Sequence, residues 1–403
     1  MTTSRAVVIG GGIGGLTAAV ALYRSGWQVS VVERSASLEP IGAGISLAPN
    51  SQRALDVVGL GDAVRDLAAW QGDGGMRTPS GRWLARTDSA AAAERFGGPL
   101  VLLPRSALVD LLRARLPDGA VRTAAPAQLV DPGRTGGRPA VVRTPAGDIE
   151  ADLVVGADGI RSGVRTALFP GHPGPSYSGF TTWRVLAPAP GRPFASHETW
   201  GRGALWGSHP LKDGRIYAYA AATAPAGARA ADGEKAELLR RFGDWHHPVP
   251  DIIDAVEPGQ VLRHDVHQMT TALPAFHGGR VVLVGDAAHA MAPTLGQGGN
   301  QAIEDAVVLA HHARPDVDLG AAQAAYSADR QPRTTAIVRK AARISRMMQL
   351  SAAPAVALRA ALMSAASRLG PGLVLRTFDG IADWQPPQRT YAAGTREGQW
   401  TRP

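Results

Sequence analysis

The residues of this chain with the clearest chemical use are three glycines and one acid near its start. Gly10-Gly11-Gly12-Ile13-Gly14-Gly15 fits G-x-G-x-x-G through Gly10, Gly12 and Gly15, and Glu33 follows eighteen residues after Gly15. Gly10 permits a tight turn, Gly12 lets a pyrophosphate approach the backbone, and Gly15 lets helix and strand pack closely. A helix opening at Ile13 and Gly14 offers free N–H groups and the positive end of its dipole to phosphate. Glu33 stands where a carboxylate accepts ribose hydroxyls, with Arg34 beside it. A 2′-phosphate would be repelled there, so the expected resident nucleotide is FAD or NAD rather than NADP.

Two more stretches put chemistry at the ends of buried strands. Val154-Val155-Gly156-Ala157 delivers Asp158 and Gly159, and Val281-Val282-Leu283-Val284 delivers Gly285 and Asp286. Open α/β sheets hold their ligands at such carboxyl ends. After Asp286 come Pro293 and the run Gly296-Gln297-Gly298-Gly299-Asn300, a glycine-rich turn from which a helix is expected to run to His312.

The elements that position these residues follow from periodicity. The apolar run 6–9 reads as a buried strand, Leu16, Ala19, Val20 and Tyr23 recur at helical spacing, and 28–32 reads as a second strand. A glycine-rich loop, Ile41-Gly42-Ala43-Gly44, precedes a helix with Asn50 as its expected N-cap. A hairpin is expected about Pro79-Ser80-Gly81, a strand over 100–103, a helix over 105–116, and a small antiparallel meander over 121–150. Alternating runs at 181–186, 197–200 and 215–221, with a helix near 234–242, suggest an antiparallel sheet rich in tryptophan. Helices over 333–348 and 355–369 close the chain. The expected fold is α/β. A discontinuous Rossmann-like domain (1–72, 98–175 and 270–335) is interleaved with a β-sheet domain (73–97 and 176–269) and followed by a C-terminal helical region (336–403).

Composition narrows the function classes. At 403 residues, 45% hydrophobic and 19% charged, the chain reads as globular with a sizeable core. It has no cysteine, which excludes disulfides, thiol nucleophiles and cysteine metal sites and fits a cytoplasmic location. The net charge of +8 is almost all arginine and forms no Lys/Arg block, so nucleic-acid binding is not expected. No signal-peptide pattern is present, and the most apolar stretch, 350–369, contains Arg359 and Arg368, so stable membrane insertion is not expected. His246, His247, His264, His267, His311 and His312 have no ligand spacing, so no metal is expected.

Taken together, Gly10 to Gly15 with Glu33, Asp158-Gly159, Gly285-Asp286 and the Pro293–Asn300 stretch resemble the single-component FAD-dependent aromatic hydroxylases of the p-hydroxybenzoate hydroxylase fold. The Thr181-Thr182-Trp183-Arg184 run is similar to the salicylate-hydroxylase and zeaxanthin-epoxidase-like branch. The resemblance implies an FAD monooxygenase in which NADPH or NADH reduces the flavin transiently and O2 gives a C4a-hydroperoxide. That species hydroxylates or epoxidises an aromatic or polycyclic small molecule. It further implies that Gly10, Gly12, Ile13, Gly14, Gly15, Glu33, Arg34, Gly44, Arg105, Asp158, Asp286, Pro293, Gly296, Gly298, Gly299 and Asn300 surround the FAD. Pro293 would line the face where oxygen adds. Arg184 would hold an anionic or carbonyl-bearing substrate, with Tyr219 as a polar partner and His209 as either a base or a structural residue. The substrate wall is expected near Gly44–Leu47, Trp183-Arg184, Trp206 to His209, Tyr217 to Tyr219 and Pro293–Leu295. Thr294 stands where urate-hydroxylase-like members carry an acid, which argues against urate. A flavin dehydrogenase or oxidase, or a non-catalytic FAD module, stays open as an alternative, as does monomer against homodimer.

Overall fold

The computed structural model describes residues 4–38, 44–67, 69–70, 74–87, 89–368, 370 and 375–387. Ile41, Gly42 and Ala43 of the glycine-rich loop, and the last sixteen residues of the C-terminal region, lie outside them.

The apolar run at the start forms the strand Arg5–Ile9, in which Ala6, Val7 and Val8 are fully buried. It lies inside a six-stranded sheet between Gln28–Val32 and Leu153–Gly156, with all three strands parallel. Val281–Leu283 adds in parallel beyond Leu153–Gly156, so the carboxyl ends bearing Glu33, Asp158 and Asp286 all emerge on one side. The helix Ile13–Arg24 is buried along most of its length, sandwiched between this sheet and the helix Gly298–His312. Its small residues make that possible: a Cβ on Gly14 would stand only 3.1 Å from Cβ of Ala302.

The second layer is a seven-stranded sheet. Its order is Leu262–Gln268, Ser176–Pro188, Arg215–Thr223, Ala204–Pro210, His197–Trp200, then the hairpin strands Gly74–Arg77 and Trp83–Thr87. One face packs on the helices Glu234–Phe242 and Val249–Ala255 through Trp183, Trp206, Phe242 and Ile252. The other face turns toward a three-stranded sheet of Gly44–Leu47, Val101–Pro104 and Ala69–Trp70, where Tyr217 packs with Leu102 and Leu211.

Four expectations are corrected. Val121–Arg122 leaves the meander and pairs in parallel with Gln28–Val32 at the edge of the main sheet. The helix expected from 333 starts at Leu319 and runs to Met348 through Pro332. Ala328, four residues back, is exposed, so water can serve the carbonyl that the proline leaves without a donor. Asn50 is no N-cap: Pro49, with its φ preset, opens the helix Pro49–Val57, and Asn50 is buried within it. Trp183 and Trp206 belong to the core on the far face, because strand alternation sends them away from Arg184 and His209.

Candidate functional site

The glycine turn has the geometry that its spacing predicts. Gly10 has φ +111°, and a Cβ there would meet the Ala157 carbonyl oxygen at 2.3 Å. A Cβ on Gly15 would lie 2.0 Å from the Gly10 carbonyl oxygen. Gly12 differs, for nothing lies within 4 Å of the space its Cβ would take. That open space stands at the N-terminus of Ile13–Arg24, which has neither a side-chain cap nor an acid in its first turn. The fold therefore leaves room and unpaired N–H groups where a phosphate would sit. Glu33 is held by Gly11, whose N–H donates to Oε2 at 2.7 Å, and by Ser35, whose N–H donates to Oε1 at 2.8 Å. It stays half-buried beside the turn, and Arg34 is exposed.

Asp158 braces the adjoining turn. Its carboxylate accepts from the Ser162 hydroxyl at 2.5 Å and from the Val164 N–H at 3.1 Å. These bonds run to residues four and six ahead rather than two, so they brace the loop without an Asx turn, and the Asp158 Cα lies 3.1 Å from the Gly10 Cβ position, against the glycine turn.

Asp286 is placed by a backbone that only glycine readily adopts. Gly285 has φ +60° and ψ −140°, and a Cβ there would stand 3.0 Å from Cβ of Ala302. The Asp286 carboxylate stays accessible from the cleft, yet protein surrounds it; this burial pushes its pKa up, opposed by His289 and Arg105. It has no hydrogen-bond partner among the described residues. Arg105, on the neighbouring helix Arg105–Arg113, has its pKa lowered by burial and by the guanidinium of Arg184, and its Nε is also without a partner. An unpaired carboxylate facing an underused guanidinium fits a polar ligand with hydroxyl groups.

The second helix terminus is equally open. Gly298–His312 has no side-chain cap, and Gly296 before it has φ +62°. Asp286 Oδ1 lies 3.9 Å from the Gly298 Cβ position, so this terminus and the acid share the cleft. Pro293 and Gly296 are exposed there. The Asn300 side chain has a structural task. Its Oδ1 accepts from Ala48 N at 2.8 Å and Ser51 Oγ at 2.5 Å, and its Nδ2 donates to Ser46 O and Gly296 O. Only its backbone is left for a ligand. Two uncapped helix N-termini, the space at Gly12 and the unpaired Asp286 together fit FAD.

Across the cleft, register puts Arg184 opposite Tyr219, Tyr219 opposite Gly207, and Gly207 opposite Glu198. Directly paired residues share a face, so Arg184, Tyr219, Tyr217, His209 and Glu198 stand together. Gly207 is needed for this, since a Cβ there would lie 2.3 Å from the Tyr219 ring. Gly44 makes the same kind of close approach to Tyr217, at 2.7 Å. Arg184 donates to His264 Nδ1 at 3.1 Å, and its Nε is buried without a partner.

One chain of hydrogen bonds on this face was not foreseen from sequence. The Ser196 hydroxyl lies 2.6 Å from His209 Nδ1, His209 Nε2 lies 3.3 Å from the Tyr219 hydroxyl, and that hydroxyl donates to Glu198 Oε1 at 2.5 Å. Trp200 Nε1 donates to the other Glu198 oxygen at 3.0 Å. Burial, with Glu198 beside it, pushes the Tyr219 phenol well above its usual range, so it stays protonated. Burial pulls the His209 imidazole down to about 3, which makes it a poor proton acceptor at neutral pH. His197 is likewise pulled down to about 4 by burial.

These histidines carry a pH prediction. Both stay neutral in the fold, while the unfolded chain takes up a proton at each near ~6.5. Their contribution to stability is therefore complete above that value and is lost as the pH falls through the window below it. The unfolding midpoint should drop on acidification from about pH 6.5 to 4, and less steeply in His209→Asn. Equal slopes in the two proteins would remove His209 from the account.

Beneath the cleft lies a buried ionic cluster that sequence reasoning also missed. Arg330 is fully buried and donates to Glu304 Oε2 at 2.6 Å and Asp305 Oδ1 at 2.7 Å. Arg333 adds two bonds to Glu304, and His289 Nε2 lies 2.6 Å from Asp305 Oδ2. That same oxygen accepts from Gly285 N at 2.8 Å, so the cluster bolts the Asp286 turn to two helices. Burial alone would raise Asp305, but His289 and Arg330 outweigh it and bring it to about 2.

Comparison with known proteins shows the family of the chain. Residues 3–341 match the family described as FAD binding domain. The chain is 38% identical over 368 residues to the aurachin C monooxygenase/isomerase of Stigmatella aurantiaca, covering 90% of this chain and 94% of that one. It is 35% identical over 378 residues to a 3-amino-4-hydroxybenzoate 2-monooxygenase of Streptomyces platensis, covering 91% and 93%. Among solved structures, Klebsiella pneumoniae HpxO complexed with FAD and uric acid superposes with a TM-score of 0.84 at 28% identity, covering 94% of this chain and 96% of that one.

Proposed function

The chain belongs to the family of FAD-dependent monooxygenases that carry this FAD binding domain, and from that premise we propose that it uses NADPH or NADH and O2 to insert one oxygen atom into an aromatic or polycyclic small molecule, by hydroxylation or epoxidation. Bound FAD would supply the redox chemistry, accepting a hydride and activating oxygen. A single G-x-G-x-x-G supports a transient rather than a resident nicotinamide.

In this reading the segments 1–72, 98–175 and 270–335 hold the cofactor, and the sheet of 73–97 and 176–269 walls the substrate. Gly10, Gly12, Ile13, Gly14 and Gly15 receive the pyrophosphate, Glu33 and Arg34 the adenosine ribose, and Asp286 the ribityl hydroxyls. Asp158 shapes the turn against Gly10, with Arg105 and Gly44 on the flavin side. The N–H groups at Gly298, Gly299 and Asn300 face the flavin, where a helix dipole favours negative charge. Pro293 bounds the space for oxygen, and Leu295 and Met291, packed in the cluster that Tyr219 joins, keep water from it.

The observation that carries the substrate assignment is the shared cleft face of Arg184 and Tyr219. Arg184, with its Nε unpaired, is suited to hold a carbonyl or anionic oxygen. Tyr219 hands a substrate proton toward Glu198, and His209, held by Ser196, orients the phenol. Thr294 brings no acid to the position after Pro293, and its hydroxyl is engaged, donating to Ala341 O at 2.9 Å. This favours an aromatic substrate other than urate. Arg184→Ala should raise the substrate KM by about 10-fold or more, the scale of a lost charged hydrogen bond, while FAD stays bound. An unchanged KM would take Arg184 out of the pocket.

A further inference from the structure

The turn that bears Asp286 has a second side. A cavity of about 210 Å³ lies between the helix Leu319–Met348 and the segment 268–276, and Ala288 and His289 belong to its wall. Arg105, Arg184, Tyr219 and Asp286 do not, so the cavity is separate from the cleft. Met269, Leu273 and Phe276, all buried, give it an apolar side. Arg339, Arg343 and Arg346, at i, i+4 and i+7 along one helix face, line its exposed side. Exposed arginines occur over much of this surface; these three share one hollow with an apolar wall.

Two polar atoms of the wall have no partner among the described residues. His289 is 3% exposed; its Nε2 is engaged by Asp305 Oδ2 at 2.6 Å, while its Nδ1 is buried without a hydrogen bond. Gln268 Oε1 is buried and unbonded as well. Protein interiors rarely leave such atoms unserved, and the cavity beside them is the place for a group that serves them. A void of roughly 150 Å³ suffices for benzene, whereas drug-sized ligands take about 300 Å³ or more. The space therefore suits one ring with a short polar substituent and is too small for a nucleotide.

We propose that this cavity is an effector site for a one-ring aromatic carboxylate that carries a hydroxyl group. The carboxylate meets the arginines, the ring lies against Leu273 and Phe276, and the hydroxyl bonds His289 Nδ1. His289 Nε2 and the Gly285 N–H share Asp305 Oδ2, and the Met269 N–H donates to Ala290 O at 2.8 Å. An occupant that holds His289 and Met269 thus steadies the stretch 285–290, which sets Asp286. This coupling rests on the reading that Asp286 receives the ribityl hydroxyls of FAD. By linkage, occupant and FAD each raise the other's affinity.

The test is calorimetric titration of FAD-loaded Arg184→Ala enzyme, in which the cleft competes less, with 3-hydroxybenzoate. One equivalent should bind with a Kd below about 1 mM, and 3-hydroxybenzyl alcohol, which lacks the carboxylate, should not bind. Adding Arg343→Gln with Arg346→Gln, or Ala342→Phe to fill the cavity, should weaken binding at least about tenfold and leave the unfolding midpoint without ligand unchanged. With 3-hydroxybenzoate saturating, the dissociation constant of FAD, measured by dilution of the loaded enzyme, should fall at least about fivefold. Absence of binding, or binding equal in the cavity variants, would overturn the site. Binding that the cavity variants abolish, with FAD affinity unchanged by the ligand, would overturn the coupling and with it the part given to Asp286.

Discussion

Gly12→Val should give a folded protein that no longer retains FAD. The space a Cβ would take at Gly12 is empty in the protein, and the backbone there, φ −74° and ψ 178°, accepts any residue. The unfolding midpoint of the apoprotein should therefore change little. Branched carbons in that space would stand between the pyrophosphate and the N-terminus of Ile13–Arg24, so FAD affinity should fall at least about 100-fold, roughly 2.7 kcal/mol. Gly10→Val is the contrasting case. At φ +111°, with the Ala157 carbonyl oxygen 2.3 Å from the Cβ position, it should lose stability and FAD together. Equilibrium titration of apoprotein with FAD, beside thermal unfolding, separates the two. Full FAD retention by Gly12→Val would show that the pyrophosphate lies elsewhere.

The second large effect is expected at Arg330. Replacing it by methionine leaves Glu304 and Asp305 buried with only Arg333 and His289 to compensate them. Removing one partner of a buried ionic group costs about 3–5 kcal/mol, because the remaining charge stays desolvated. Chemical unfolding of Arg330→Met should show a loss of that size. FAD affinity should fall as well, since Asp305 holds Gly285 N and thereby the Asp286 turn. A loss below about 1 kcal/mol would mean that the cluster relaxes or hydrates and is not the bolt described here.

The parts of the site that could be read from sequence are those set by short-range rules. Gly10, Gly12, Gly15 and Glu33 lie within one strand–helix–strand unit, and Asp158 and Asp286 each follow an apolar run, so periodicity and turn chemistry expose them directly. Alternation along Thr181-Thr182-Trp183-Arg184 separates tryptophan from arginine, but which face meets the cleft depends on register with the other strands of the seven-stranded sheet. Glu198 illustrates the limit. Nothing local marks it, and only its pairing opposite Gly207 brings it to Tyr219. The ionic cluster was hidden for a similar reason. Glu304 and Asp305 find Arg330 across 26 and 25 residues of chain, and buried carboxylates on a helix look like solvated ones until the partner helix is in place. Asn50 misled because a good capping residue was overruled by the proline before it. The helix expected from 333 is longer than that because it runs through Pro332, a residue type that usually ends a helix.

The central claim is oxygen transfer, and the most direct measurement is isotopic. The FAD-loaded enzyme would be incubated with NADPH or NADH under oxygen-18 gas, with a panel of hydroxylated and nitrogen-containing aromatic and polycyclic acceptors, and the products weighed by mass spectrometry. The account predicts that at least one acceptor stimulates nicotinamide oxidation and gains one oxygen atom from the gas and none from water. Acceptor-stimulated nicotinamide oxidation that ends wholly in hydrogen peroxide, with no label in any product, would contradict it.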